Sequence, residues 1–388
     1  TSGSVDWTEV KNDVSVVLGI SGRLTSLDVF RGATIAGMIL VNNPGSWSYV
    51  YSQLRHADWH GWTFTDLIFP FFLFIVGVAI VFSFSRRVEL GYSKVKLFWK
   101  VVRRSLILFA LGLFLNGFPT FDLSTIRIMG VLQRIAICYF FASVIFLTSS
   151  LRGQVFWSVV LLFVYWGLME FVPVPGIGAG LYEKGKNFAA YVDSLILSGH
   201  MWSVTKTWDP EGIVSTIPAI STTLFGVLTG HWLRSKRSEI EKSLWLFIMG
   251  NLGLFIGAVW NSWLPINKNL WTSSYAVFTA GFALIVLGFC YYFVDVRGYK
   301  KFTYPFVVYG MNAITVFVLS GIIGRLSTYF KVSLSDGSTT TVKNYIYENF
   351  FASWLGPMNG SLAYAIAHVL LMYFLMWILY KKRIFIKI

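Results

Sequence analysis

Residues 55–77 read RHADWHGWTFTDLIFPFFLFIVG. The first twelve positions hold two His, two Asp and two Trp, and the run that follows carries no charged residue from Leu67 until Arg86. A segment so long and apolar can cross the hydrocarbon of a bilayer as a helix. The stretch is a polar fringe at the mouth of a transmembrane segment, and that reading extends to the whole chain.

The 388 residues are 55% hydrophobic, 18% aromatic and only 13% charged, with a mean hydropathy of +0.63. A soluble domain carries about 25% charged residues. Apolar blocks recur along the chain and predict ten transmembrane helices, at about 25–43, 63–85, 99–117, 127–148, 154–172, 212–233, 243–263, 271–294, 303–324 and 360–380. The expected fold is an all-α, polytopic membrane helix bundle. Residues 340–356 are weakly amphipathic and are expected at the interface rather than across it. The opening TSGS reads as a cloning remnant in an N-terminal segment, 1–22, and 23–388 reads as one transmembrane domain. The first span is expected to anchor the chain without a cleaved signal.

A net charge of +14 raises the question of nucleic acid, but Lys and Arg sit in short clusters between apolar runs. That is the pattern that sets membrane orientation, not a phosphate-binding surface. With a cytoplasmic N-terminus, 22 of the 32 basic residues fall inside, among them Arg86/Arg87, Arg103/Arg104, Arg234/Lys236/Arg237 and Lys381/Lys382/Arg383. Both termini are then cytoplasmic and the fringe at 55–66 lies outside. The longest outer loop is about 173–211. Cys138 and Cys290 fall within spans and indicate neither a disulfide framework nor a metal site.

Ionisable groups inside spans cost about 2.5–3.5 kcal/mol each on insertion scales, so each needs a reason. In the first span Asp28 and Arg31 lie near one end, and Asn42 and Asn43 close the other. Arg31 and Asn42 are eleven residues apart, about 16 Å of rise and within roughly 20° of one helix face. A local ion pair and a helix cap would explain them equally well. In the fringe, His56 and His60 are four apart, too few ligands for a zinc site. Trp59 and Trp62 read as an interfacial aromatic belt. Asp66 has two uses open to it, capping the second helix or pairing with a histidine. Arg127, Gln133 and Arg134 start the fourth span, and Asp209 and Glu211 precede the sixth, where negative charge suits a helix N-terminus. Asn267, Lys268 and Asn269 lie outside, and Asn312 lies within the ninth span. His200, His231 and His368 read as structural.

Six segments, RLTSLDVFRG…LVNNPG, RHADWHGWTFTDLIFPFFLFIVG, RIMGVLQRIAICY, WDPEGIVSTIPAI, INKNLWTSSYAVFTAG and YGMNAITVFV, occur in order between about residues 23 and 325. Together they resemble the heparan-α-glucosaminide N-acetyltransferase family, in a membrane-core form without the animal enzyme's extra lumenal region and first helix. The resemblance implies transfer of acetyl from cytoplasmic acetyl-CoA to a glucosamine amine across a bacterial inner membrane, by a homodimer and without a metal. It matches the family's active histidine to His56, its motif asparagine to Asn42 and a motif aspartate to Asp66, while His60 falls where the animal sequence has Asn. On that basis His56 is the base or acetyl carrier, Asn42 an oxyanion donor and Asp66 the orienting carboxylate. Arg31, Arg23, Asp28, Arg103, Arg104, Gln133 and Arg134 are the expected acetyl-CoA residues. Asp209, Glu211, Asn267, Asn269 and Asn312 are expected at the acceptor. Two other classes stay open: a secondary transporter for a sugar or peptidoglycan fragment, and a membrane O-acyltransferase acting on envelope polysaccharide. No inverted repeat supports the transporter. Thermal stabilisation by acetyl-CoA separates it from either transferase.

Overall fold

The computed structural model describes residues 24–334 and 337–386; Arg23 and the N-terminal segment lie outside them. Each of the ten apolar segments falls on helix. In chain order these are α1 (Thr25–Asn42), α2 (Phe64–Glu89), α3 (Lys94–Gly117), α4 (Val131–Thr148) and α5 (Leu151–Phe171). A short α6 (Phe188–Ile196) then precedes α7 (Thr216–Arg234), α8 (Glu239–Trp260), α9 (Ser273–Cys290), α10 (Tyr304–Met311) and α11 (Ala313–Tyr329). Two three-residue strands, β1 (Lys331–Ser333) and β2 (Thr339–Thr341), pair antiparallel before α12 (Val342–Tyr347) and α13 (Ser353–Lys381). They are a small exception to an all-α chain.

Among the described residues, six helices are long and apolar enough to cross a membrane, and a seventh if α10 and α11 count as one span. The other three expected spans are helices of more polar composition. Asp28 and Arg31 lie in α1, five basic residues lie in the first half of α3, and α7 is rich in Ser and Thr.

The segment expected as one span at 303–324 is broken. At Asn312 the backbone leaves helical geometry (φ −122°, ψ 40°), and α10 and α11 meet at 81°. The Asn312 amide donates to Ile384 O at 3.1 Å and accepts from Ile386 N at 3.0 Å, which fastens the C-terminal tail across the break. Residues 340–356, expected at an interface, form α12 and a π-helical turn and run on into α13, which breaks at Gly356.

The centre of the bundle is α2, packed against α1, α4, α7 and α9. Its Leu73, Phe74, Val78 and Val81 are fully buried. The crossing with α7 needs glycine: a Cβ at Gly77 would lie 1.9 Å from Thr223 O, and one at Gly226 would lie 2.0 Å from Phe74 O. Small residues let membrane helices approach to backbone contact, where dispersion holds them together. Replacing Gly77 with Val should therefore part the two helices and destabilise the protein by about 1–3 kcal/mol. A melting temperature in detergent equal to the parent's would show that the crossing tolerates a side chain.

Two ends of the bundle are thus set apart. At one, Ser26 N donates to Asp295 and Arg31 lies beside α10. At the other, Asn43 donates to Ser320 Oγ, which also contacts His368, and the long loops gather around the start of α2.

Candidate active site

The start of α2 builds the site. Thr63 caps the helix, and Asp66, three residues on, completes a reciprocal capping box. One oxygen of Asp66 accepts from Thr63 N and Ala57 N, each at 3.0 Å. The other lies 2.6 Å from His56 Nδ1. Asp66 therefore performs both uses that its sequence position allowed. Four residues later Pro70 has no N–H to give the Asp66 carbonyl. The buried Tyr275 hydroxyl of α9 donates to that carbonyl instead.

A carboxylate only accepts, so its contact puts the histidine proton on Nδ1 and the lone pair on Nε2. The His56 side chain is 47% exposed and that of Asp66 1%. The result is a fixed imidazole, backed by a buried acid and open to an incoming group.

The loop carrying His56 is held from two sides. Gly61 N donates to Ile266 O at 2.7 Å, joining it to the loop before α9. The Trp59 indole donates to Tyr182 O at 2.7 Å and meets Trp208 edge-to-face at 5.0 Å. Trp59 thus ties the His56 loop to the segments that carry Tyr182 and Trp208. Trp62 packs on Phe278 and Phe282 of α9. His60 lies 3.5 Å from the Asn267 amide, and partial burial lowers its proton affinity.

Beneath the loops sits a buried charge cluster. Arg127 holds Asp209 through two nitrogens, at 2.8 and 2.5 Å, and reaches Glu211 at 2.5 Å. Lys268 Nζ lies 3.5 Å from the other Glu211 oxygen. Burial pushes Glu211 up, but Lys268, Arg127 and Arg134 outweigh it and hold the carboxyl well below the usual range. Asp193 of α6 accepts from Ile213 N and Asp209 N, and burial pushes it up to about 6. Arg134, wholly buried, donates to Gly212 O and Ser215 and lies over the Trp271 ring.

Several residues expected at the acceptor and the donor have internal partners in the structure. Asp209 and Glu211 are buried against arginine and lysine, and these ion pairs brace the loop. Asn267 is buried, its side-chain oxygen accepting from Leu270 N at 3.0 Å, which makes it a turn former. Asn269 is half-buried nearby. Asn312 lies at the opposite end, on the C-terminal tail. Arg134 and Gln133 start α4 at the His56 end and are buried, away from Arg31.

At that other end Arg31 contacts Asp28 at 3.2 Å and Gly310 O at 3.4 Å. Arg103 is exposed on α3, and Arg104 lies over Tyr139 at 4.8 Å. Asn42 ends α1 exposed, next to Asn43, which is held by Ile39 O and Ser320. His200, His231 and His368 each contact a polar partner, Ile126 O, Gln154 and Ser320. Among the described residues no group of three His, Cys, Asp or Glu is placed to hold a metal. The residues that sequence reasoning left unassigned are Lys268, Tyr275, Thr63 and Asp193. Only the T-x-x-D spacing of Thr63 and Asp66, and Pro70 four residues on, signalled any of them.

The family model described as the catalytic region of heparan-alpha-glucosaminide N-acetyltransferase matches residues 23–259. The heparan-alpha-glucosaminide N-acetyltransferase of Mus musculus is 30% identical over 423 aligned positions, covering 95% of this chain and 61% of the mouse protein. That of Homo sapiens is 31% identical over 421, covering 94% and 60%. The chain spans about three-fifths of the length of these relatives. It belongs to the heparan-alpha-glucosaminide N-acetyltransferase family.

Proposed function

We propose that this chain is a transmembrane N-acetyltransferase that moves acetyl from cytoplasmic acetyl-CoA to the amine of glucosamine or a glucosaminide on the far side of a bacterial inner membrane. In this reading all ten segments span, both termini are cytoplasmic and the His56 end faces outward. The enzyme works as a homodimer. The observation that carries the reading is the 2.6 Å contact between His56 Nδ1 and buried Asp66, which leaves Nε2 as a fixed base at the open end.

The chemistry follows from that base. The acceptor amine attacks the thioester carbonyl, a C–N bond forms and the C–S bond breaks. His56 Nε2 takes the amine proton and passes it to the departing CoA sulfur. Asp66 stabilises the imidazolium that forms in between. The exposed Asn42 amide is the donor proposed for the tetrahedral oxyanion. In the alternative order Nε2 itself attacks first, the C–S bond breaks with CoA leaving as the thiolate, and the acetyl-imidazolium then acylates the amine, whose released proton balances the thiolate. Label held on the protein from acetyl-CoA, without acceptor, marks the second route.

CoA phosphates suit the Arg31 end, where guanidinium groups bind such anions in a paired geometry. Arg31, with Arg103 and Arg104 on α3, is the proposed holder there. Losing one charge-assisted contact of about 1.5–3 kcal/mol corresponds to a rise of about tenfold or more in the acetyl-CoA KM of Arg31→Ala. The acceptor KM and the melting temperature should change little. An acetyl-CoA KM equal to the parent's would remove Arg31 from the donor site.

Radiolabelled acetyl transfer by the purified protein tests the whole proposal. Glucosamine should be acetylated and glucose left alone. Equal consumption of acetyl-CoA with either sugar would overturn amine transfer, and no stabilisation by acetyl-CoA would overturn the donor.

A further inference from the structure

The start of α9 grips the segment that carries His56 and Asp66 at two points. Ile266 O, in the loop before α9, accepts from Gly61 N, and the Tyr275 hydroxyl donates to Asp66 O. Tyr275 is wholly buried, and its ring is packed on every side that the site depends on. It meets Trp271 edge-on at 5.4 Å and 89°, and Phe69 of α2 meets the same indole at 5.0 Å. Trp271 Nε1 donates to Thr222 Oγ1 of α7 at 3.2 Å, with the Arg134 guanidinium over its ring. Ser273 Oγ ties the same turn to Leu162 O of α5 at 2.8 Å. The hydroxyl that reaches Asp66 is thus fixed from α2, α5 and α7.

We propose that Tyr275 is a positioning residue of this site: by holding the Asp66 main chain, its hydroxyl keeps the carboxylate on His56 Nδ1 and leaves Nε2 free as the base. The proposal rests on the transferase reading above, and names a residue that reading does not use. The need for it is local. In a regular helix the carbonyl of residue 66 accepts from the N–H of residue 70, and proline has none. Asp66 is buried, so a carbonyl without a donor there is costly and the backbone would turn to find one. That turn would carry the carboxylate away from Thr63 N and Ala57 N, at 3.0 Å, and from His56 Nδ1, at 2.6 Å. Tyr275 exchanges no proton with the substrates; it acts through Asp66 alone.

The test is Tyr275→Phe, which removes the hydroxyl and keeps the ring. Acetyl transfer should fall by about 10- to 100-fold in kcat, the cost of a small misplacement at a reacting group, with the KM values for acetyl-CoA and glucosamine near the parent's. Pro70→Ala restores the N–H one turn along from the Asp66 carbonyl. In that background Tyr275→Phe should therefore leave kcat nearly unchanged. A kcat of Tyr275→Phe equal to the parent's overturns the proposal. An effect equally large in both backgrounds overturns it too, because the hydroxyl would then act elsewhere than on that carbonyl. Where Tyr275→Phe alone does not accumulate, the double variant should. Its failure to do so marks a packing role and overturns the proposal.

A second readout does not require activity. The imidazole nitrogen NMR shifts of His56, assigned by their loss in His56→Ala, report which ring nitrogen carries the proton. In the parent the neutral ring should hold it on Nδ1, facing the carboxylate. In Tyr275→Phe the Nε2–H form should appear, and with Pro70→Ala added it should recede. A ring that stays wholly Nδ1–H in Tyr275→Phe overturns the positioning role. If instead the tautomer shifts while His56→Ala still transfers acetyl, Tyr275 keeps its hold on the pair and the transferase role of His56 falls.

Discussion

Purified His56→Ala should lose acetyl transfer to glucosamine by about 10²–10⁴-fold in kcat, the range a positioned general base supplies. The loss should come without collapse of the protein. The His56 ring is about half exposed, so truncating it opens no cavity in the core. Thr63 and Ala57 keep their bonds to Asp66, and the start of α2 stays capped. The acetyl-CoA KM should stay near the parent value, because the donor's phosphates are proposed at the other end of α1. Asp66→Asn divides differently. Its amide group cannot accept every bond that the carboxylate accepts, so both stability and rate should fall. Measured side by side, His56→Ala lowers kcat alone, and Asp66→Asn lowers kcat together with the melting temperature. Transfer by His56→Ala at the parent's rate would remove the base and leave the 2.6 Å contact as a structural bond of the capping loop.

What could be read in the chain before its fold was known divides along a physical line. Apolarity over a span is local, so hydropathy located segments that fold as helix, and among the described residues six, or seven with the bent pair, are long and apolar enough to cross a membrane. The capping box of Thr63 and Asp66 is three residues long, and the Asp66–His56 contact spans ten, so both were within reach of a sequence reading. Partners that lie far apart in the chain were not. Arg127 meets Asp209 across 82 positions, Lys268 meets Glu211 across 57, and Tyr275 meets Asp66 across 209. Each of these residues looks like an ordinary outer-loop charge or a core aromatic until the helices are assembled. The break at Asn312 hid for another reason. Hydropathy sums over a window and does not register a change of direction inside it, so residues 303–324 were expected as one unbroken span. Asp209 and Glu211 were read as negative charge suited to the helix N-terminus that follows them. The arginine that takes them comes from a different loop.

The second large effect concerns that arginine. Arg127→Met should lower stability by about 3–5 kcal/mol, the usual result of removing one partner from a buried ion pair. The side chain of Asp209 is fully buried and that of Glu211 4% exposed, so neither carboxylate can turn to water when the guanidinium is gone. Lys268 stays near Glu211, but Asp209 loses its cation and keeps only backbone donors, Trp202 N and Glu211 N. The adjoining Trp208 supports Trp59 and hence the His56 loop, so transfer should fall with stability. The pH dependence carries the decisive sign. In the parent, Glu211 is held below its ordinary range, so its contribution is present at neutral pH and is lost only in strong acid. Without Arg127 the stranded carboxylates favour protons in the folded state, and folding then takes up protons as the pH falls. The difference in melting temperature between parent and Arg127→Met should therefore be larger at pH 8 than at pH 5. Replacing Asp209 with Asn in the same background should recover part of the loss, because a neutral amide needs no cation. A difference independent of pH, with no recovery in the double variant, would show that Arg127 stabilises the loops by packing over Trp202 and not by its charge.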